Sequence, residues 1–185
     1  MKGRLKLVAA TAVVGVGATA GAVATTGGGP DIRERLTGYE EDPLVISTTG
    51  KGTFQAGMDK AGETISYKLR YADLEGAVTQ AHIHLGGRAQ SGGISAFLCS
   101  NLPNPPAGTP ACPASPGTVT GTIEAEDVIG PAAQGIAPGE FGELVRAIRA
   151  GVTYANVHTD KYPAGEIRAQ LDRKRHGGHG RDDRR

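Results

Sequence analysis

Alternating apolar and polar residues constrain the fold of this chain more than any other feature of its sequence. Over residues 64–71, apolar side chains occupy every second position, which is the period of a strand that buries one face. The pattern returns in residues 53–56, 78–85, 94–99, 118–125, 154–159 and 165–171. Turn-forming glycines and prolines lie between these segments. We therefore expect a mainly all-β chain that forms an antiparallel immunoglobulin-like or Greek-key sandwich or barrel.

Residues 140–150 are the one segment with a clear helical period. Four apolar side chains recur at the spacing of a single helix face: Phe141, Leu144, Val145 and Ile148. Gly151 follows, and glycine commonly ends helices. The sequence thus predicts one short α-helix beside the strands.

The first 24 residues have the order of a secretory signal peptide. A basic start (MKGRLK) precedes an apolar run of small residues, which closes on the cleavage-site pattern Ala22-Val23-Ala24. A membrane anchor is the alternative, but alanine, glycine and threonine keep the run less hydrophobic than a permanent span. We expect residues 1–24 to be removed and the mature chain to be exported without a transmembrane span.

Composition divides the rest of the chain into three parts. Residues 25–43 mix glycine, proline and charge, which predicts a linker, and residues 44–171 carry the strand patterns of one domain. The basic tail, residues 172–185, has no apolar residue and is typical of a disordered terminus. The protein is expected to be secreted or otherwise extracytoplasmic, with retention at the cell surface left open.

The charge balance bears on the partners of the predicted domain. Across residues 25–171, 16 acidic residues outnumber 11 basic ones. Nucleic-acid binding needs a basic surface that displaces counterions, so we expect no nucleic-acid partner. The motifs G-x-S-x-G, G-x-x-x-x-G-K-[ST] and H-E-x-x-H are missing from the sequence. We assign no catalytic residue and no required cofactor, and the expected partner is an unidentified extracellular or cell-envelope ligand.

Cys99 and Cys112 are the only cysteines, and they flank the proline-rich segment SNLPNPPAGTPA. An even pair in an exported chain predicts a disulfide. Proline keeps such a loop out of regular structure, so joining its ends is expected to stabilise the fold by about 3 kcal/mol. The alternative is a pair of soft metal ligands, but the sequence has no second cysteine pair or nearby histidine to complete such a site.

Two histidines one residue apart, His82 and His84, lie in the segment AHIHLGG, which otherwise has a strand pattern. Alternation places both rings on the face opposite Ala81 and Ile83, so we expect them on the outer side of the sheet. The same logic places His158, in YANVHT, on an outer face. If the two strands are neighbours, three neutral imidazoles share one surface, a ligand set that suits copper or zinc. The alternative is that the histidines hydrogen-bond backbone or carboxylate groups and hold loops in place.

A further polar face is predicted near the end of the chain. In YPAGEIRAQL, Glu166, Arg168 and Gln170 alternate with apolar residues. They form either a strip that recognises a ligand or the solvated face that antiparallel sheets commonly have. Arg168 is placed to pair with Glu166 or Asp160 on that exposed surface.

Four sequence blocks, in order, resemble the CHRD domain, the module named after the extracellular protein chordin and also found in bacterial secreted proteins. They are AHIHLGG, GISAFLC, GTVTGTIEAEDVIGP and ELVRAIRAGVTYANVHTDKYPAGEIRAQL. The resemblance covers residues 44–171 and implies an immunoglobulin-like or Greek-key β fold in an extracytoplasmic setting. It implies no catalytic reaction, cofactor or binding residue. We therefore expect an exported CHRD-domain protein that acts as an extracellular binding or structural module.

A second resemblance points to a different class of function. AHIH and NVHT are similar to pieces of copper/zinc superoxide dismutase, which uses an H-x-H strand of a Greek-key barrel and a later histidine near a strand end. Between these two pieces, the present chain lacks a candidate bridging histidine and the histidine and aspartate of a zinc cluster. This difference argues against dismutase activity and leaves a mononuclear copper or zinc site at His82, His84 and His158. The alternative function is therefore a metal-binding protein, such as a copper-linked oxidase or a dismutase-like enzyme.

Overall fold

The computed structural model of the chain describes residues 32–172. Eight strands run through this part of the chain: β1 (Ile32–Thr37), β2 (Lys51–Met58), β3 (Ile65–Ala72), β4 (Val78–Leu85), β5 (Gly93–Ser100), β6 (Gly117–Ile123), β7 (Thr153–Thr159) and β8 (Ile167–Leu171). One α-helix, α1 (Phe141–Arg149), lies between β6 and β7 along the chain. The predicted signal peptide, residues 1–24, lies outside the described residues, as does all but the first residue of the predicted tail, 172–185.

The strands form a single antiparallel sheet in the order β5-β4-β7-β8-β1-β2-β3-β6. The sheet curls until its edge strands approach each other. The Tyr67 hydroxyl of β3 donates to the Leu98 carbonyl of β5 at 2.8 Å, and Ile129 N, after β6, donates to Ser95 O of β5 at 2.9 Å. Because β3 pairs with β6 and β4 with β7, strands that are not consecutive along the chain lie side by side, as in a Greek key. The predicted antiparallel fold with one short helix is confirmed, as a nearly closed barrel of one sheet.

Alternation along each strand fills the inside of the barrel with apolar side chains. Phe54 of β2, Leu69 of β3 and Val119 of β6 lie side by side in register, and none is more than 4% exposed. On the other half of the sheet, Ile83 of β4 pairs with Ala155 of β7, and both are buried. Strands β2 to β8 therefore lie at the positions that the sequence pattern predicts, with slightly shifted ends.

The helix α1 closes one end of the barrel. Its predicted apolar stripe is buried, namely Phe141, Leu144, Val145 and Ile148. Ile148 meets Ile32 and Ile65 around a small apolar cavity at that end. Gly151 has a φ of 69°, in the left-handed region, and the helix ends just before it as predicted. No helix among residues 32–172 has the length and apolar character that crossing a membrane requires.

The prediction that residues 25–43 form a linker is wrong in part. Residues 32–37 form β1 and pair with β2 along their whole length. Ile32 and Leu36 enter the core, at 4% and 1% exposure. These two apolar residues are separated by three charged ones, so the alternation is too short to stand out in the sequence. The domain therefore begins earlier than its sequence pattern indicates.

The predicted Cys99–Cys112 disulfide is confirmed. It ties the end of β5 to the loop that precedes β6, and both half-cystines are buried. Asn101 holds the same loop, because its side-chain NH₂ donates to the carbonyl groups of Val78 and Cys112 and its amide oxygen accepts from Cys112 N at 3.0 Å. A proline-rich loop is thereby fixed against the edge of the sheet.

We expect the double replacement Cys99→Ala and Cys112→Ala to lower the free energy of unfolding by about 3 kcal/mol, because the open loop gains conformational entropy in the unfolded chain. Denaturant titration at neutral pH measures the change. Wild-type protein treated with a reductant is the matched control and should lose a similar amount, whereas the double variant should not respond to reductant. Equal unfolding midpoints for the variant and the oxidised wild type would contradict this role of the cross-link.

Candidate functional site

Three histidines come together because β4 and β7 are neighbours in the sheet. His82 pairs with Asn156, and Gln80 pairs with His158, so His82, His84 and His158 project from the same face. One ring nitrogen from each histidine lies within 4.8 Å of the others. His82 Nδ1 and His158 Nε2 are 3.2 Å apart, and the rings of His82 and His84 meet edge to face with centroids 5.3 Å apart. The strand adjacency on which the predicted site depended is present.

Backbone carbonyl groups set the protonation of two of these rings. His84 Nδ1 donates to Gly92 O and His158 Nδ1 donates to Pro163 O, each at 2.9 Å. A neutral imidazole protonated at Nδ1 carries its lone pair on Nε2. His158 Nε2 therefore accepts from His82 Nδ1, which leaves the lone pair of His82 on Nε2 as well. The side-chain amide of Asn156 also meets His158 Nε2 at 3.0 Å, and because that nitrogen accepts, the NH₂ group of the amide faces it. Within residues 32–172, the buried Nε2 atoms of His82 and His84 have no hydrogen-bond partner, and such an atom costs about 1–3 kcal/mol.

The expectation that these histidines emerge on an outer surface is wrong. They lie on the face opposite the core, but His82, His84 and His158 are 0%, 7% and 6% exposed. Three connections fold back over that face: residues 38–50 between β1 and β2, residues 86–92 between β4 and β5, and residues 160–166 between β7 and β8. Alternation determines the side to which a ring points, but it carries no information about loops that cover that side.

Arg168 of β8 packs beside the three histidines, in a buried polar layer between the sheet and the covering loops. It does not form the surface ion pair predicted for it. Its guanidinium carbon lies 3.5 Å from the centroid of the Tyr154 ring, and that ring stacks on His84 with centroids 4.7 Å apart. Since β4 and β8 flank β7, Tyr154 is held between the two side chains. Arg168 Nη2 also donates to Gly87 O at 2.8 Å and to Gln90 O at 3.1 Å. Backbone carbonyl groups and an aromatic ring thus take the place of a carboxylate partner.

Glu166 and Gln170 anchor the covering loops, so the polar strip predicted in β8 is neither solvated nor open to a ligand. The Glu166 carboxylate is 0% exposed and accepts hydrogen bonds from Thr48 Oγ1 and Glu75 N, each at 2.7 Å, and from Thr159 Oγ1 at 2.8 Å. Gln170 Nε2 donates to two backbone carbonyl groups, each at 2.9 Å. These side chains have a structural role that their sequence pattern did not reveal.

Glu41 belongs to the buried layer but carried no signal in the sequence, because it falls within the predicted linker. Its side chain is 7% exposed, and its Oε1 atom has no hydrogen-bond partner among residues 32–172. Gly165 provides the space, since a Cβ atom there would lie 2.6 Å from both carboxyl oxygens. Burial raises the pKa of Glu41 to about 8, and the positive charge of Arg168 opposes the rise in part. Glu41 is therefore mostly protonated at neutral pH.

The three imidazoles are neutral at neutral pH. Burial lowers the pKa of His82 to about 2 and that of His84 to about 4, and it also lowers the pKa of His158. The neighbouring rings act in the same direction on His82 and His84, because a second positive charge in the cluster would be repelled. Neutral imidazole is the form that binds metal ions.

The cluster has the ligand chemistry of a three-histidine metal centre. Nitrogens bound at about 2.0–2.1 Å to one tetrahedral ion are roughly 3.4 Å apart, and one ring nitrogen from each histidine already lies within 4.8 Å of the others. His82 Nδ1 carries the proton of the hydrogen bond to His158, so small ring movements would have to bring the Nε2 lone pairs together around an ion. The carbonyl groups of Gly92 and Pro163 orient two of the rings, as the outer hydrogen-bond partners of metal-bound histidines do. The same hydrogen bonds also hold two covering loops without any ion.

Together these features define a class of protein, a small disulfide-linked antiparallel barrel with a polar layer buried beneath loops. A family model for the CHRD domain matches residues 33–171, and the chain therefore belongs to the CHRD domain family. The resemblance seen in the four sequence blocks is confirmed, and the match extends over most of β1. CHRD domains are extracellular, and the disulfide fits an oxidising compartment. No curated protein and no solved structure matches the chain.

We expect Glu41→Gln to change the dependence of stability on pH. With a pKa of about 8 when folded against 4.5 for an ordinary glutamate, Glu41 stabilises the fold fully below pH 4.5 and loses this contribution as the pH rises through 8. The variant stays neutral, so the slope of its free energy of unfolding against pH should differ by up to about 1.4 kcal/mol per pH unit in this range. Denaturant titrations of metal-free protein measure both slopes.

Glu126→Gln removes an exposed carboxylate and is the matched control, which should follow the wild type. The histidine cluster favours the folded state as the pH rises. All three proteins contain it, so its contribution cancels when their slopes are compared. Equal slopes for Glu41→Gln and the wild type would show that Glu41 ionises normally in the folded protein.

Proposed function

We propose that the protein is exported and acts as a binding module for an extracellular or cell-envelope ligand. The observation that carries this proposal is membership of the CHRD family over residues 33–171, nearly all of the described part. The Cys99–Cys112 disulfide supports it, because such cross-links persist in oxidising compartments. The signal-like sequence of residues 1–24 supports it as well.

The rigidity of the barrel suits a binding role. Each inner strand of the sheet has a paired neighbour on both sides, although β1 and β8 pair only at Thr37 and Arg168. The loops over β4, β7 and β8 are held by buried side chains such as Glu166 and Arg168. The backbone of such a scaffold is already ordered before a ligand arrives. Binding then costs little backbone conformational entropy, which favours affinity.

The fate of the N-terminal residues tests export. In a secretion-competent bacterial host, the full chain should be recovered outside the cytoplasm with a mature N-terminus near Thr25, because cleavage is expected after Ala24. Intact-mass measurement and N-terminal sequencing provide the readout. A matched chain that starts at residue 25 should remain in the cytoplasm. Recovery of the uncleaved full chain from the cytoplasm would contradict export, and fractionation of wall, membrane and medium decides between free secretion and surface retention.

Metal binding is a second candidate function, which one observation favours. His82 and His84 present unpartnered lone pairs in a buried cluster that His158 completes. A copper or zinc ion held by these three residues would accept those lone pairs. The cluster contains no carboxylate or thiolate among the described residues, so it fits a mononuclear centre bound by nitrogen alone. The covering loops would keep bulk water from such an ion.

We expect the full chain, purified without a histidine tag and incubated with copper or zinc, to retain about one ion per molecule after gel filtration. His82→Ala combined with His84→Ala should abolish this, because two of the three ligands are lost. His176→Ala combined with His179→Ala, near the C-terminus, is the matched control and should keep the ion. Elemental analysis measures the metal, and circular dichroism checks folding. The same metal content in the two double variants would rule out the buried cluster as the site.

A further inference from the structure

The two halves of the outer surface of the barrel differ in what covers them. Loops bury the outer face of β4, β7 and β8. The outward side chains of β1, β2, β3 and β6 are exposed or half-buried. These four strands are adjacent in the sheet, so their outward residues form one continuous surface, here named the open face.

Five basic side chains and no acidic one project from the open face. Arg33 and Arg35 come from β1, Lys51 comes from β2, and Lys68 and Arg70 come from β3. Residues 32–172 contain 11 basic and 16 acidic residues, so nearly half of the basic ones are gathered on this surface. The open face is therefore basic on a body that is acidic as a whole.

Strand register sets the spacing of four of these cations. Arg35 and Arg70 are aligned on either side of Thr53, and Arg33 and Lys68 are aligned on either side of the next outward residue of β2, a glutamine. Strands are about 4.8 Å apart, and alternate residues are about 6.8 Å apart along a strand. The four charged side chains therefore start from the corners of a rectangle of roughly 7 by 10 Å.

These four cations have no acidic partner in the described structure. Lys51 pairs with Asp73 at 2.6 Å, but the other four basic residues of the open face form no ion pair within residues 32–172. Arg33 and Arg35 start about 7 Å apart along β1, as do Lys68 and Arg70 along β3, and like charges at that spacing repel each other. An anionic ligand would remove that repulsion, so the arrangement favours binding of negative charge.

A shallow depression of about 630 Å³ lies at one end of the open face. Arg35, Lys51 and Arg70 line it together with threonines such as Thr53 and Thr118. Its floor is apolar and includes Leu36, Tyr71, Ala72 and Pro116. Cationic side chains and hydroxyl groups thus border a concave and mainly apolar surface, which offers a ligand charge, hydrogen bonds and contact with the carbon face of a sugar ring.

We propose that the open face binds a linear anionic polysaccharide, whose repeated acidic groups contact Arg33, Arg35, Lys68 and Arg70. This inference rests on the proposed binding function and names the chemical class of the partner. Arginine matches a carboxylate with two parallel hydrogen bonds. The threonine, serine and glutamine side chains between the cations are suited to hydrogen-bond sugar hydroxyl groups.

The composition of the open face disfavours two other anionic partners. Proteins that bind single-stranded nucleic acid stack bases on aromatic side chains, and no aromatic residue projects outward from the four strands. Proteins that lie on a membrane surface insert large apolar side chains between lipids, and the outward apolar positions of the open face hold only glycine and alanine. A hydroxyl-rich polyanion fits these side chains better than either.

Binding of the full chain to fluorescently labelled alginate, a linear polymer of uronic acids, tests the proposal. Neutral dextran of similar length is the reference polymer and should not bind. Fluorescence anisotropy measures the affinity for alginate, which should fall steeply between about 50 and 200 mM salt, because the cations of the open face displace counterions.

The test variant combines four replacements: Arg33→Gln, Arg35→Gln, Lys68→Gln and Arg70→Gln. The matched control removes the same charge from other surfaces: Lys60→Gln, Arg88→Gln, Arg146→Gln and Arg149→Gln. We expect the test variant to lose at least about tenfold in affinity with a flatter salt dependence, and the control to change less than about twofold. Thermal unfolding checks that both variants fold, and both keep the basic residues 173–185, so any binding by those residues is common to the series.

Equal losses in the two variants, or no loss in either, would overturn the assignment of the open face. Tighter binding to DNA or to phosphatidylglycerol vesicles than to alginate would overturn the assignment of a polysaccharide. Failure of the proposed function can be told apart from failure of the polysaccharide assignment. A wild-type protein that binds no cell-envelope or extracellular material is not a binding module. A test variant that still binds such material as tightly as the wild type would show a binding module that uses another surface.

Discussion

The pairing of β4 with β7 is the contact on which the rest of the molecule depends. The chain leaves β4 at Leu85 and returns in β7 at Thr153, and these two residues lie opposite each other in the antiparallel register. Buried backbone N–H and C=O groups must find partners, and β7 finds them in β4 on one side and in β8 on the other. Between these two strands the chain adds β5 and β6 to the sheet, and it passes through the disulfide-linked loop at the sheet edge and through α1 at one end of the barrel. The same register assembles the histidine cluster.

One layer of polar side chains serves both the fold and the candidate metal centre. Glu166 and Arg168 bind the loops that cover β4, β7 and β8. Two of those loops supply the carbonyl groups that orient His84 and His158. Ring orientation therefore depends on closure of the loops, and an ion bound by the rings would in turn stabilise the closed arrangement, since it binds the folded form alone. In a purely structural cluster, ring orientation would still depend on loop closure, but no ion would stabilise the closed loops.

The barrel has an uneven outer surface because its loops are unevenly distributed. Long connections fold over one half of the sheet and satisfy its polar groups internally, whereas the β1–β2–β3–β6 half keeps its polar residues in contact with solvent. Basic residues are concentrated on that open half although the domain as a whole is acidic. A protein built in this way separates a rigid, buried polar layer from an accessible charged surface. The family to which it belongs is consistent with a role in binding.

Much of this structure follows from local pattern. Period-two alternation located seven strands, the stripe of α1 was visible in four residues, and two cysteines indicated the disulfide. Alternation also assigned His82, His84 and His158 to one side of the sheet, because the direction of a side chain is a local property of an extended backbone. It could not show that Arg168 is buried or that Glu41 lies in the same layer. Burial of that layer is produced by loops that are remote in sequence from the strands they cover, and β1 is a strand only because β2 lies beside it. Side-chain direction is thus encoded within a few neighbouring residues, whereas coverage arises from contacts between distant parts of the chain.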